Sequence, residues 1–320
     1  MSEPMPASPV AKRAEAVSLA LVLGHLALVF APIYLAAALG GGWWLVACWL
    51  WYGFTMNGML NLMHEAAHYH LFRLRPANDF LGRWILGPLA LADFDTFRQS
   101  HWDHHRHLGE SDDPKTTYHM DIRGHRFLAL VGRCLTLVEA VRKFRLQADR
   151  QDGEPAPGKS LRWILRVFLA QSLFAGSVLA LAAWAHRGEP GRETVDAAFL
   201  AYGFVYVYGI ASVTVFTANL RAIAEHQIGA DPAHRTGTAA LRNFSCNPVT
   251  RLIFGAYGFG EHATHHELPA VPYYRLREVT RTLAAKNPAL KQSQGYLGTI
   301  RSLVRQTAVS PSVLPGNRAP

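Results

Sequence analysis

Long apolar runs alternate with polar, histidine-bearing stretches along this chain. Residues 16–39 form the first run, after Lys12 and Arg13, and exceed the roughly 20 residues needed to cross a bilayer. A cleaved secretion signal has an apolar core of only about 7–15 residues, so this run reads as an anchor. Gly40-Gly41-Gly42 predicts a turn, and Trp43 and Trp44 then stand where an interfacial aromatic belt would sit. They open a second run, 43–62, which passes into the next polar stretch without a helix breaker. Runs 163–185 and 195–220, joined by a short turn at 186–193, complete four predicted transmembrane helices. The last is rich in Tyr, Phe and small residues, which let helices approach closely and can wall a cavity.

Shorter features fill the intervals. Residues 80–92 are apolar but short, bounded by Asp79 and Asp93 and interrupted by Pro88, which predicts an interfacial or re-entrant piece. Residues 128–146 carry an apolar stripe with Arg133, Arg142, Lys143 and Arg145, the pattern of an amphipathic helix on a headgroup surface. Gly153, Pro155, Pro157 and Gly158 predict a loop over 150–160. Asn247-Pro248-Val249 reads as a helix start with Pro in its first turn, and a further helix is expected over 275–286. Residues 1–15 and 305–320 read as flexible tails.

The pattern predicts an all-α integral membrane protein forming a single domain over 1–320. Its four transmembrane helices carry a histidine-rich helical cap made of 63–161 and 221–304. Composition agrees, with 50% hydrophobic and 17% charged residues. The formal charge of +9 is mostly Arg and concentrates in the two cap segments. The positive-inside rule therefore places the cap and both termini in the cytoplasm. In this setting the excess suits anionic lipid. No recognition-helix pattern or zinc-finger spacing points to nucleic acid. Cys48, Cys134 and Cys246 are isolated, which argues against a disulfide frame or a cysteine metal site.

The chemistry lies in histidines. His64-Glu65-Ala66-Ala67-His68 closes the second run with two imidazoles at i and i+4, on one helix face. His101-Trp102-Asp103-His104-His105 and His262-Ala263-Thr264-His265-His266 are both H-x-x-H-H clusters, and His226 stands alone about one turn after the fourth run. Neutral imidazole binds transition metals well. Nine such residues are too many for one ion and suit two ions with four or five ligands each. His25, inside the first run, reads as a bundle-facing residue bonded to a neighbouring helix. His70, His107, His119, His125 and His234 read as surface or supporting residues. His64-Glu65-Ala66-Ala67-His68 also matches H-E-x-x-H, the zinc-protease helix with Glu as base. A peptidase leaves both H-x-x-H-H clusters unexplained, since zinc takes three or four protein ligands.

The order H-x-x-x-H, H-x-x-H-H, lone His, H-x-x-H-H resembles the membrane fatty-acid desaturase and hydroxylase superfamily, over about His64 to Leu276. The stretch from His265-His266-Glu267-Leu268-Pro269 to Tyr273-Tyr274-Arg275-Leu276 resembles the third-box tail of acyl-lipid desaturases. The block Arg221 to His226 is similar to a bacterial subgroup that includes a desaturase of an amino-acid-derived toxin precursor, and to membrane alkane hydroxylases. The resemblance implies two irons held by His64, His68, His101, His104, His105, His226, His262, His265 and His266. It also implies a cytoplasmic site in a bacterial inner membrane. In animal acyl-CoA desaturases an Asn one turn before the lone His contacts iron through water. Ala222 holds that place here, and Asn219, two turns before His226, could face the same way.

Neutral ligands leave the metal charge to be offset. Glu65, Asp103, Glu225, Glu261 and Glu267 lie beside the histidines in sequence and could accept a far ring N–H. The implied reaction uses O2 and two electrons to desaturate an aliphatic chain, most simply a fatty acyl group. The alternative is a hydroxylase or ketolase of a lipid, terpenoid or small amino-acid-derived amphiphile. The chain has no four-cysteine iron–sulfur pattern, flavin or nicotinamide fingerprint, or haem domain. A separate electron donor is therefore expected, ferredoxin-like, rubredoxin-like or cytochrome b5-like, drawn to the Arg-rich face.

Overall fold

The computed structural model describes residues 12–110, 112–115, 120–149, 161–186, 191–226 and 240–306. The ends of the two expected tails, the 150–160 loop, residues 187–190 of the 186–193 turn, and His119 and His234 lie outside the described residues. The described chain is almost wholly helical, with one two-stranded parallel pairing, Asn243 with Gln292 and Phe244 with Ser293.

Helices α1 (Lys12–Leu39) and α2 (Trp44–Ala67) pack side by side across the Gly40 turn. After α3 (Arg75–Phe80), a π-helical turn Leu81–Leu86 and a short turn Gly87–Leu89 lead to α4 (Phe94–His107). Next come α5 (His125–Leu135), α6 (Val138–Asp149), α7 (Leu161–Ala185) and α8 (Arg192–Glu225). The long α8 widens into π-helical turns at Leu200–Tyr208 and Ile210–Thr214. The second cap segment holds β1 (Asn243–Phe244), α9 (Pro248–Ile253), α10 (His262–Glu267), α11 (Tyr273–Ala284), β2 (Gln292–Ser293) and α12 (Tyr296–Arg305).

Among the described residues, α1, α7 and α8 are long and apolar enough to cross a membrane. Outward-facing Phe168, Leu173 and Trp184 on α7 are 67–78% exposed. An apolar surface of this kind belongs in lipid or against a partner. Helix α2 has the length, but Asn57, Asn61, His64 and Glu65 lower the hydropathy of its second half. All four are buried, so α2 is the central helix of the bundle. A Cβ on Gly53 would lie 2.3 Å from Val213 Cβ, which is how closely α2 and α8 approach. Asn57 donates to Thr217, and Arg221 donates to Asn61, which itself donates to the carbonyl of Ala256. This polar ladder ties α2 to α8 and to the segment leading into the third histidine cluster.

His25 bonds the carbonyl of Thr55 across α1 and α2, as expected of a bundle-facing histidine. The 80–92 segment packs against the helical bundle. Gln171 donates to the carbonyl of Pro88 and to Tyr206, and Tyr206 donates to the carbonyl of Leu89. Gln171 stands ten residues into α7, about 15 Å along a helix rising 1.5 Å per residue. Carbonyls at the Pro88 turn thereby find side-chain partners on α7 and α8.

The helix expected over 128–146 is two helices. Leu137 adopts φ 64° and the chain turns there. No Gly or Pro announces the break. Buried Glu139 stabilises it by accepting from Arg133 on α5 and Arg142 on α6. Leu128, Val138, Val141 and Phe144 remain exposed beside these cations, in keeping with an amphipathic surface. Asn247 caps α9 by accepting from Thr250 N at 2.9 Å, with Pro248 in the first turn as its sequence predicts.

Candidate metal centre

Three helix ends and one helix exit converge on a single point. His64 ends α2 and His68 follows as its cap residue. His101 and His105 lie one turn apart on α4, and His262 and His266 one turn apart on α10. His226 leaves α8 in extended geometry, its backbone bridged to Leu241. The turn before α10 places Tyr257 at φ 55° and Gly258 at φ 80°. A Cβ on Gly258 would meet Leu276 at 2.8 Å, so this tight approach to α11 favours glycine.

The nine histidines fall into two groups. Ligand atoms of His64, His68, His101, His105 and His265 all lie within 4.8 Å of one another. The same limit joins His104, His226 and His266, and also joins Glu225, His226 and His262. In the first group, Nε2 of His101 is 2.7 Å from that of His68 and 3.0 Å from that of His105. In the second, Nε2 of His104 and His226 are 3.3 Å apart. At most one proton can sit between each such pair. His64 Nε2, His266 Nε2 and both nitrogens of His262 are buried without a hydrogen-bond partner. Orphaned buried polar atoms of this kind cost about 1–3 kcal/mol each, and a bound cation removes that cost. Burial, followed by the Lys115 ammonium, lowers His104 to about 4 and His105 to about 3. Burial likewise holds His101, His262, His265 and His266 well below the usual histidine value. All are therefore neutral near pH 7, the form that ligates. The converging neutral donors and orphaned nitrogens fit two transition-metal positions.

The carboxylates divide differently from their sequence order. Glu65 is buried, and its two oxygens accept from Nδ1 of His64 at 2.9 Å and of His70 at 3.1 Å. Both carboxylate oxygens are thus engaged by histidine rings, and Glu65 supports the imidazoles. Glu225 lies nearer the donors than expected, Oε2 standing 3.8 Å from His262 Nε2 while Oε1 accepts from Tyr296 at 2.8 Å. Asp103 instead pairs with Arg106 on the surface, Glu261 accepts from Gln292, and Glu267 is exposed. Helix rotation and solvent exposure turn these three away from the imidazoles. Asn219 points to Glu139 on α6, not to the histidines. At the departure position, the Ala222 carbonyl accepts from His226 Nδ1 at 2.8 Å and orients that ring.

Some supporting residues escape a reading by motif. His70, taken as a surface or supporting residue, is 1% exposed and stacks on His68 at 5.3 Å. His107, by contrast, pairs with Glu110 and His125 is exposed. Asp113 faces His104 from a loop nine residues on, and Lys115 Nζ is 3.4 Å from His101 Nδ1. Behind α10, Asn243 donates to Thr264 and to the carbonyl of Leu290 and accepts from Thr264 N. Only the extra polar residues near each cluster hinted at these. A crevice too narrow to admit a water molecule, lined by Tyr257, Phe259 and Leu276, meets His64, His262 and His265.

An apolar helical bundle thus ends in clusters of largely buried imidazoles that could hold metal ions. The fatty acid desaturase family profile matches residues 41–297, and the chain belongs to that family. It is also similar to zeaxanthin 4-ketolase of Chlamydomonas reinhardtii, 36% identical over 58 residues. That stretch is 18% of this chain and 13% of the ketolase.

Proposed function

We propose that this chain is a di-iron desaturase of an aliphatic chain, with a fatty acyl group as its substrate. The observation that carries the reading is the pair of imidazole groups at the end of an apolar bundle. His64, His68, His101, His105 and His265 would hold one iron. His104, His226, His262 and His266 would hold the other, with Glu225 beside it. When bound, such a centre supplies activation of O2. The substrate loses two hydrogens from adjacent carbons, and with two electrons and two protons O2 leaves as two waters.

The protein's own part is to position and to exclude. Glu65 and the Ala222 carbonyl hold ring N–H groups, so Nε2 of His64 and His226 face inward. Tyr257, Phe259 and Leu276 line a closed apolar crevice beside the imidazoles, which would have to widen to admit an acyl segment. Four spans, α2 included, with a cytoplasmic cap complete the proposal. Both electrons come from a separate acidic carrier of the ferredoxin, rubredoxin or cytochrome b5 kind docking on the Arg-rich cap. Activity in purified membranes with nicotinamide cofactor alone, and no carrier present, would remove that donor.

The ketolase similarity favours a second reading, oxygen insertion into a terpenoid or related lipid. Lipid and metabolite profiling of a host with and without the chain decides between them. A product lighter by two hydrogens supports desaturation, and one that gains an oxygen, with or without the loss of two hydrogens, supports the alternative.

A further inference from the structure

Asp113 lies on the loop after α4 and is 5% exposed. Its two carboxylate oxygens stand 2.8 and 3.0 Å from His104 Nδ1. The same carboxylate accepts the backbone N–H of Gly109 at 3.2 Å and of Lys115 at 2.9 Å, so the loop is folded around it. The far nitrogen of His104 points at His226. A neutral imidazole carries one proton. An acceptor on Nδ1 keeps the proton there and leaves the Nε2 lone pair facing the second histidine group. Without that acceptor the ring is free to turn over or to take the other tautomer.

We infer that Asp113 is the positioning residue of the second metal group, acting on the metal through His104. The inference rests on the two-metal reading above. It also answers a charge question. Imidazoles bring no charge to two dications, and a buried carboxylate one residue removed offsets part of that charge without occupying a coordination position. Glu65 serves the first group through His64, and Asp113 is its counterpart for the second. Glu65 adjoins its histidine in sequence, whereas Asp113 reaches His104 only because the loop returns.

The test uses the full chain in detergent, loaded with Fe2+ without oxygen, and reads bound iron after exposure to graded chelator. Asp113→Ala, Asp113→Asn, His104→Ala and the double variant Asp113→Ala with His104→Ala are compared with the parent. The parent keeps two irons. Asp113→Ala weakens one of them by about 10–100-fold, the usual effect of losing such a partner. Asp113→Asn keeps an acceptor oxygen but no charge, and falls between. In the His104→Ala background, Asp113→Ala adds nothing, because both changes act through the same ring. The Mössbauer spectrum of Asp113→Asn alters one iron component and leaves the other. Unchanged affinity for both irons in both Asp113 variants overturns the inference. So does an equal further loss in the His104→Ala background, which would mean that Asp113 only braces the loop. Should Asp113→Ala fail to fold, Asp113→Asn carries the same comparison. A parent that binds fewer than two metals overturns the di-iron reading instead, and is told apart by being seen before any variant is made.

Discussion

The two histidine groups are built by different means. The first draws His64 and His68 from the end of α2 and His101 and His105 from α4, both pairs at i and i+4, with His265 from α10. Helix geometry sets each pair, with the adjoining Glu65 fixing the His64 ring, and the two helices need only meet. The second draws His104 from α4, His226 from the exit of α8, and His262 and His266 from α10. Here His226 leaves its helix, and the rings are held by a loop carboxylate, a backbone carbonyl and a distant tyrosine acting on Glu225. Secondary structure presets the first group, while tertiary packing assembles the second. Side-chain loss should therefore act locally in the first and spread further in the second.

The largest effect is expected from His226→Ala. It ties the end of α8 to the cap, and its loss should abolish product and remove about one iron while membrane insertion persists. Iron analysis and product assay on the same membranes check this. A variant with full iron and normal product would break the comparison at its weakest-held ligand.

Glu65→Gln comes next. It removes the charge and one acceptor shared by His64 and His70, and metal affinity should fall by about 10–100-fold. Chelator competition reads the change. Retention of parental affinity would show that helix geometry alone aims His64.

Smaller effects should appear in stability. Asn243→Ala strips three hydrogen bonds from behind α10 and should cost about 1–3 kcal/mol. His70→Ala leaves one buried oxygen of Glu65 without its partner and should cost a similar amount, yet leave both metals bound, since His70 belongs to neither group. Thermal melting in detergent, followed by metal count, separates these from ligand loss. Asn247→Ala, a helix cap remote from the rings, should cost only about 1 kcal/mol and leave metal content unchanged. A larger change would mean that α9 supports the site more directly than its contacts indicate.

The unequal construction also explains what could be read from the sequence. The apolar runs mark α1, α7 and α8 because burial in lipid demands long uninterrupted segments, and i, i+4 spacing marks the helix-borne histidine pairs. The run 43–62 marks α2 as well, although Asn57 and Asn61 serve interhelical bonds and dilute its hydropathy. The Leu137 break between α5 and α6 depends on the ion pairs of Glu139, which come from both helices and carry no local sign. Asp103 and Glu261 looked like partners because they adjoin ligands, but adjacency on a helix sends side chains to different faces. Asp113 and the Ala222 carbonyl perform that role from places that only the folded loop and the helix exit determine. His70 could be read only as a surface or supporting residue, because its partner Glu65 is shared with His64 and sharing is invisible in a spacing pattern.

The central claim is that these two groups hold two irons. Metal analysis of the intact chain, purified from membranes and reloaded with Fe2+ in the absence of oxygen and presence of competing Zn2+, tests it most directly. The account predicts about two irons per chain, seen as two components in the Mössbauer spectrum, one for each ligand set. One zinc per chain with no retained iron would contradict it.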